Sequence, residues 1–308
     1  MNSPIEAMRA GRNPFVLARQ NPVTDESEPM YELKFGLVLY TDYAPGPVRA
    51  RAVFDLYVQW FGDRIKRWTS TAPGEADLVP WDSSSHSLFV NRLLPQLRKS
   101  IHWGYGFDDG QEFDGWLFMF HGYRPASEPG RASFFRFEFP WNVDQSTVRR
   151  FAIAMAELVP FTSGFAGLVF KPAVDEAASY DMMYAVCQRY WGIEAWNLEV
   201  STCYLRDAYL CVNWLTLIGQ GLTERASAAV DEARGCAVTA HDATYGVVLQ
   251  SSNRAVLGDR NAGETMDGHS AVARALLPLQ VTRFESFGGR RWTDENSLAW
   301  VQRFNGLP

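Results

Sequence analysis

The sequence predicts an α+β protein with a mixed or largely antiparallel sheet flanked by helices. Apolar residues recur at helical spacing in several separate stretches. Between residues 102 and 140 the spacing changes to two, over aromatic-rich segments divided by polar, glycine-containing turns. The order of these patterns (strand, helix, several strands, helix, then a similar series) suggests two related α+β halves meeting near residues 159–163, with no residue repeat to support a duplication.

Residues 1–30 form a polar lead in which Pro4, Pro14, Pro22 and Pro29 keep interrupting helix formation. Residues 34–41 (KFGLVLYT) read as a first strand. Residues 47–68 carry Val48, Val53, Phe54, Tyr57, Val58, Phe61 and Ile65 at helical spacing, with Pro47 suited to the first turn. A second amphipathic helix is expected over 86–100, kinked or shortened by Pro95. Residues 102–107, 115–123 and 132–140 form an antiparallel meander, after which Asp144 caps a helix through Val148, Phe151, Ala152, Met155 and Leu158. Further strands are expected at 161–171, 208–219, 236–240 and 245–250, and further helices at 176–190, 224–232, 269–284 and 294–304. No linker-like gap separates the halves. A single domain over 31–308 is therefore expected, with 31–159 and 160–308 as subdomains at most.

With 47% apolar and 14% aromatic residues, the 308-residue chain can bury a sizeable core. A formal net charge of -6 argues against a general nucleic-acid binder, which needs a basic footprint, and permits a basic protein partner. The most apolar stretch, residues 210–222, is interrupted by Asn213, Thr216 and Gln220 and reads as a buried strand. Arg9, Arg12 and Arg19 are scattered with no compact apolar run behind them, so no export signal is read and a cytoplasmic location is expected. Cys187, Cys203, Cys211 and Cys236 lack metal-ligand spacing and read as reduced, buried thiols.

Catalytic readings fail on their own terms. His241-Asp242 occurs in metal-dependent phosphohydrolases, but the companion ligands are missing, and His86, His102, His121, His241 and His269 show no paired metal spacing. His241 is read as a turn residue. Ser163 has no nucleophile-elbow context, and its hydroxyl is expected to bond backbone near a strand start. Gly164 and Gly167 make only a fragment of a dinucleotide loop, in strand context. No metal, no cofactor and no catalytic set is assigned.

Two stretches are more specific: residues 160–170, with the pattern P-x-x-S-G-x-A-G-L-x-F, and residues 214–219, with W-L-T-x-x-G. Both read as buried strands whose glycines permit close backbone approach. A third element is the step Arg189-Tyr190-Trp191-Gly192-Ile193. On these residues the chain resembles the type VI secretion immunity family over most of its length. Trp191 stands where the family's step carries proline. The resemblance implies a non-catalytic antitoxin that binds and neutralises a cognate type VI effector, with a restriction-endonuclease-like nuclease toxin as the first expectation. A small-molecule-binding or hydrolytic α+β protein is the competing class.

A partner surface needs anchors with a polar rim, and aromatics beside acids suit a basic nuclease groove. Asp108, Asp109, Glu112, Phe113, Asp114 and Trp116, in the connection between two expected strands, are the candidate partner-binding residues. The plainer reading is a solvated hairpin turn, and the spacing fails a calcium loop. A second patch comprises Asp259, Arg260, Glu264, Asp267 and His269. A third comprises Arg290, Arg291, Trp292, Asp294 and Glu295, where Thr293 or Asp294 as a helix cap is the default.

Overall fold

In the computed structural model, which describes residues 17–20, 27–42, 44–71, 78–99, 103–111, 114–123, 128, 130–172 and 177–306, the architecture is α+β. A short strand β1 (Leu17–Gln20) pairs with the long strand β2 (Ser27–Thr41), so part of the polar lead is strand. From Tyr31 to Thr41 every residue of β2 is buried, which explains its near-continuous apolar run from Phe35 onward. It begins seven residues earlier than its hydrophobic pattern suggests, because Glu32 and Lys34 are buried as charges.

Helix α1 (Pro47–Phe61) starts on the expected proline and buries Ala50, Val53, Phe54, Tyr57 and Phe61. Val48 and Val58 face solvent instead. The helix stops seven residues early, at Gly62, and Trp68 lies in strand β3 (Arg67–Ser70), still buried because strand alternation also points it inward. Strand β4 (Val79–Pro80) follows, and then helix α2 (Ser83–Leu88), which Asp82 caps by accepting from the Ser85 N–H at 2.8 Å. Its continuation winds as a π turn over Phe89–Leu93 and a 3-10 turn over Leu94–Lys99. Pro95, lacking an N–H, cannot continue a regular α ladder there.

The meander is β5 (Trp103–Asp108), β6 (Leu117–Gly122) and β7 (Ser133–Pro140). Asp144 caps α3 (Gln145–Leu158) as expected. Then come β8 (Ser163–Pro172), α4 (Ala177–Arg189), β9 (Ile193–Ala195), α5 (Leu198–Ser201) and β10 (Leu215–Gly219). The single helix expected at 224–232 is two, α6 (Gln220–Arg225) and α7 (Ser227–Cys236). The last strands, β11 (Thr239–Ala243) and β12 (Gly246–Gln250), make a hairpin, so His241 is a strand residue. Helix α8 (Asp267–Leu276) ends well before residue 284, at a 3-10 turn containing Pro278, and α9 (Asp294–Val301) closes the described chain behind a Thr293 capping box.

The described strands form one twelve-stranded sheet in the order β11-β12-β10-β8-β2-β7-β6-β5-β3-β4, with β1 beside β2 and β9 beside β8. All its pairs are antiparallel except β8 with β9. Strand β2 bonds to β7 on one side and β8 on the other, so one sheet runs through both expected halves. One face carries an aromatic core in which α1, α3 and the π turn pack rings such as Phe54, Tyr57, Phe151 and Phe89 on Phe107, Phe118 and Phe137.

The two specific sequence segments are neighbours at the centre of this sheet: Leu215 pairs with Ala166 and Ile218 with Ser163. A side chain at Gly164 would strike the Val38 carbonyl, and one at Gly167 would strike Asn213. The Ser163 hydroxyl donates to the Ala208 carbonyl at 3.1 Å, the backbone role expected of it. The third element is explained similarly: Arg189 grips Asp259, and Gly192 lets the backbone of Val256 and Leu257 pass against it.

Candidate partner-binding surface

The β5–β6 connection holds the candidate residues, and two of its acids are occupied by contacts that tie it to its neighbours. Asp108 Oδ1 accepts from Arg67 Nε at 2.8 Å and from the Gly110 N–H at 2.7 Å, an Asx-type turn with an ion pair across to β3. Asp114 adopts a left-handed backbone (φ 49°), which an aspartate tolerates better than most residues. Its N–H donates to Glu32 Oε2 at 2.8 Å, and its carboxylate accepts from the Trp141 N–H at 2.9 Å. Burial raises the Asp114 pKa, against the lowering effects of that N–H and of Lys34. Asp109 is the more available acid, half-buried and accepting, among the described residues, from the neighbouring Gln111 N–H at 3.1 Å. Trp116 packs on Phe61 and Phe139 with ring centres 5.0 and 5.4 Å away, under the Arg64 guanidinium at 5.6 Å. Glu112 and Phe113 lie outside the described residues. Asp108 and Asp114 thus hold the hairpin's place, and of the described candidate residues Asp109 and the edge of Trp116 remain to be presented.

Beneath this hairpin lies a charge cluster that the strand pattern conceals. Glu138, with its side chain 1% exposed, sits on the sheet face opposite the aromatic core. Its Oε1 accepts from Arg136 Nε at 2.6 Å and Trp196 Nε1 at 2.7 Å, while Oε2 meets Lys171 Nζ at 3.1 Å and Lys34 Nζ at 3.7 Å. Lys34 also lies 3.5 Å from Glu32. Burial alone would raise the Glu138 pKa, but Arg136, Lys171 and Lys34 outweigh it and hold the carboxyl well below the ordinary glutamate range. Gly36 makes the room: a side chain there would strike Val169 and Trp196. A signal was present in SFFRFEFP, where Arg136 and Glu138 alternate with phenylalanines and must share a face opposite them.

A second buried pair anchors the C-terminal helix. Glu194, fully buried on β9, accepts from Arg303 Nη2 at 2.8 Å, Trp300 Nε1 at 3.2 Å and the Cys211 thiol at 3.1 Å. Burial pushes the Cys187 and Cys211 thiols well above their usual range, which keeps them protonated. Cys203 is buried and Cys236 half-buried, and all four are free.

The second sequence patch is divided: Arg260, Glu264 and Asp267 are exposed, as expected of a connection, while Asp259 and His269 are drawn inward. Asp259 is buried in a bidentate pair with Arg189 at 3.0 and 2.8 Å, Arg260 lies over Trp191 at 4.5 Å, and Glu264 accepts from the Asp259 N–H. His269 is 3% exposed, and burial, aided by Arg303, lowers its pKa from 6.5 to about 3. The unfolded chain therefore takes up a proton that the fold refuses between those values, so stability falls as pH drops below 6.5. The expected loss between pH 6.5 and 4.5 is about 2 kcal/mol. Urea titrations of the wild type and His269→Phe at both pH values check this, since the variant should lack that part of the slope. In the third patch, the Thr293 cap claims the helix start, and Asp181 binds the Arg290 and Arg291 backbone. His241 is exposed on edge strand β11, 3.8 Å from Glu157. Among the described residues no His, Cys, Asp and Glu group could hold a metal ion, and no helix is long and apolar enough to cross a membrane.

A family model described as type VI immunity for VRR-NUC matches residues 49–304. Among solved structures the chain is similar to the Pseudomonas aeruginosa T6SS protein PA0821, with a TM-score of 0.75 and 15% identity over 99% of this chain and 92% of that one, a likeness of fold. Comparison with curated proteins finds no match.

Proposed function

The chain belongs to the type VI immunity family, and from that premise we propose that it binds a cognate type VI effector, a nuclease of the VRR-NUC kind, and blocks it without turning over any substrate. The family match across residues 49–304 carries this reading. The net charge of -6 supports it, because an acidic protein is steered toward the basic groove in which a nuclease holds its substrate. The place of action is the cytoplasm, where such a toxin meets nucleic acid.

The test is titration of the nuclease encoded with this chain. Cleavage of a linear DNA is expected to stop near equimolar chain, and undiminished cleavage in excess chain rejects the proposal. Within the hairpin, Asp109→Lys is expected to weaken inhibition about tenfold with an unchanged thermal melt. This corresponds to ~1.4 kcal/mol, at the lower edge of the range for interface charge pairs. Asp114→Ala should instead lower the melting temperature, because it strips the Trp141 N–H of its acceptor. Inhibition unaffected by Asp109→Lys would remove the hairpin from the interface.

A further inference from the structure

An open cleft of about 430 Å³ lies between the start of α3 and the loop that follows β12. Side chains hold its walls in place. Gln250, 5% exposed at the end of β12, uses its whole amide. Its Oε1 accepts from Arg149 Nη1 at 3.2 Å and from the Thr239 hydroxyl at 3.1 Å, and its Nε2 donates to the Ser252 and Asn253 carbonyls at 2.8 and 3.2 Å. The loop is pinned twice more. Trp214 Nε1 donates to the Ser252 carbonyl at 3.0 Å, and Gln145 Oε1 accepts from the Ala255 N–H at 2.9 Å. Asn253 and Arg254 are therefore exposed on a loop whose backbone is fixed.

The charges in this cleft do not cancel. Its lining carries two cations, Arg149 and Arg254, and one carboxylate, Asp144. Both arginines are exposed. Arg149 donates to the neutral Gln250, and the Arg254 side chain makes no hydrogen bond or ion pair among the described residues. Asp144 is committed to the helix cap, where it accepts from the Ser146 N–H at 3.1 Å, the Ser146 hydroxyl at 2.6 Å and the Thr147 hydroxyl at 2.9 Å. Beyond the rim, α3 adds another exposed cation, Arg150. The one acid within α3, Glu157, lies about two turns further along, where it accepts from Thr244 and faces His241. Two guanidinium groups without a carboxylate partner are suited to bind one, through paired N–H donors.

We propose that this cleft receives a carboxylate side chain of the effector protein, bound by Arg149 and Arg254. The effector is the occupant because the cleft continues the hairpin surface: Asp114 holds the Trp141 N–H, and Val143 and Asp144, two and three residues on, line the cleft. The inference rests on the neutralisation reading and deepens it. A basic contact beside the acidic hairpin fixes the partner's register and rejects wrong partners better than one sign of charge alone.

The test measures inhibition of the co-encoded nuclease by wild type, Arg254→Lys, Arg254→Gln and Arg254→Glu, each checked by thermal melt. Arg254→Gln should inhibit about tenfold more weakly than the wild type, and Arg254→Glu more weakly again, because it repels the incoming acid. Arg254→Lys should fall between wild type and Arg254→Gln, since it keeps the charge and loses the planar fork. The spread should narrow as salt is added. An inhibiting wild type with all three folded variants equally potent overturns the cleft and leaves neutralisation standing. If the wild type itself fails to inhibit, both fall. Melts with inorganic phosphate form a second arm: stabilisation of the wild type that Arg254→Glu lacks, together with equal potency, assigns the cleft to a free anion and overturns the docking. Should Arg254→Glu melt early, the Lys and Gln variants decide alone, with equal potency counting against the proposal.

Discussion

Replacing Glu138 by alanine is expected to destabilise the protein by about 3–5 kcal/mol, the cost typical of removing one partner from a buried ion pair. Lys34, Arg136 and Lys171 would remain packed around a vacated carboxylate, and Trp196 would lose the acceptor for its indole N–H. Lys171→Met should cost far less, on the order of 1 kcal/mol, because Glu138 keeps Arg136 and Lys34 and the methionine stem fills most of the lysine's space. That ordering separates a cooperative charge cluster from a set of interchangeable surface pairs. Equilibrium urea unfolding at neutral pH measures both changes, and equal losses for the two variants would contradict the account. The pH sign is that of a depressed carboxyl: the contribution of Glu138 is present above the ordinary glutamate range and disappears only as pH falls through its much lower native value.

Trp214→Ala is expected to cost about 3–5 kcal/mol, as large aromatic truncations in cores do. Trp214 is 3% exposed, meets Phe35 edge-on with ring centres 5.4 Å apart, and donates its indole N–H to the Ser252 carbonyl at 3.0 Å. It stands at the entry to β10, where its carbonyl accepts from the Ser251 N–H. Truncation therefore opens a cavity and removes one of the two donors to the Ser252 carbonyl, which keeps the Gln250 amide at 2.8 Å. Trp214→Phe retains most of the ring and should lose about 1–2 kcal/mol, chiefly the hydrogen bond. Thermal and urea unfolding of both variants provide the check, with a wild-type melt for Trp214→Ala as the contrary result.

These two side chains also mark how far the residue pattern could be read. Trp214 and the glycines at 164, 167 and 219 stood out as strand framework because their types are constrained locally, by volume and by backbone approach. Glu138 and its cations did not. They lie on three strands, β2, β7 and β8, and only strand pairing brings Glu32, Lys34, Arg136, Glu138 and Lys171 onto one face. The hairpin acids show the reverse case. Their density in the sequence drew attention to a loop, yet Asp108 holds that loop's own backbone and Asp114 ties it to Trp141. Similarly, within the patch at 259–269, whose Arg260, Glu264 and Asp267 are exposed, nothing local reveals that Arg189, seventy residues away, draws Asp259 inward.

By itself the sequence determined the α+β class, the aromatic meander, the Asp144 helix cap and the family, since periodicity, capping and short glycine patterns are local properties that survive without coordinates. Tertiary structure alone decided which acids are exposed and where the buried charges pair. Those depend on register between strands distant in the chain: shifting one strand by a single residue would turn every side chain to the opposite face.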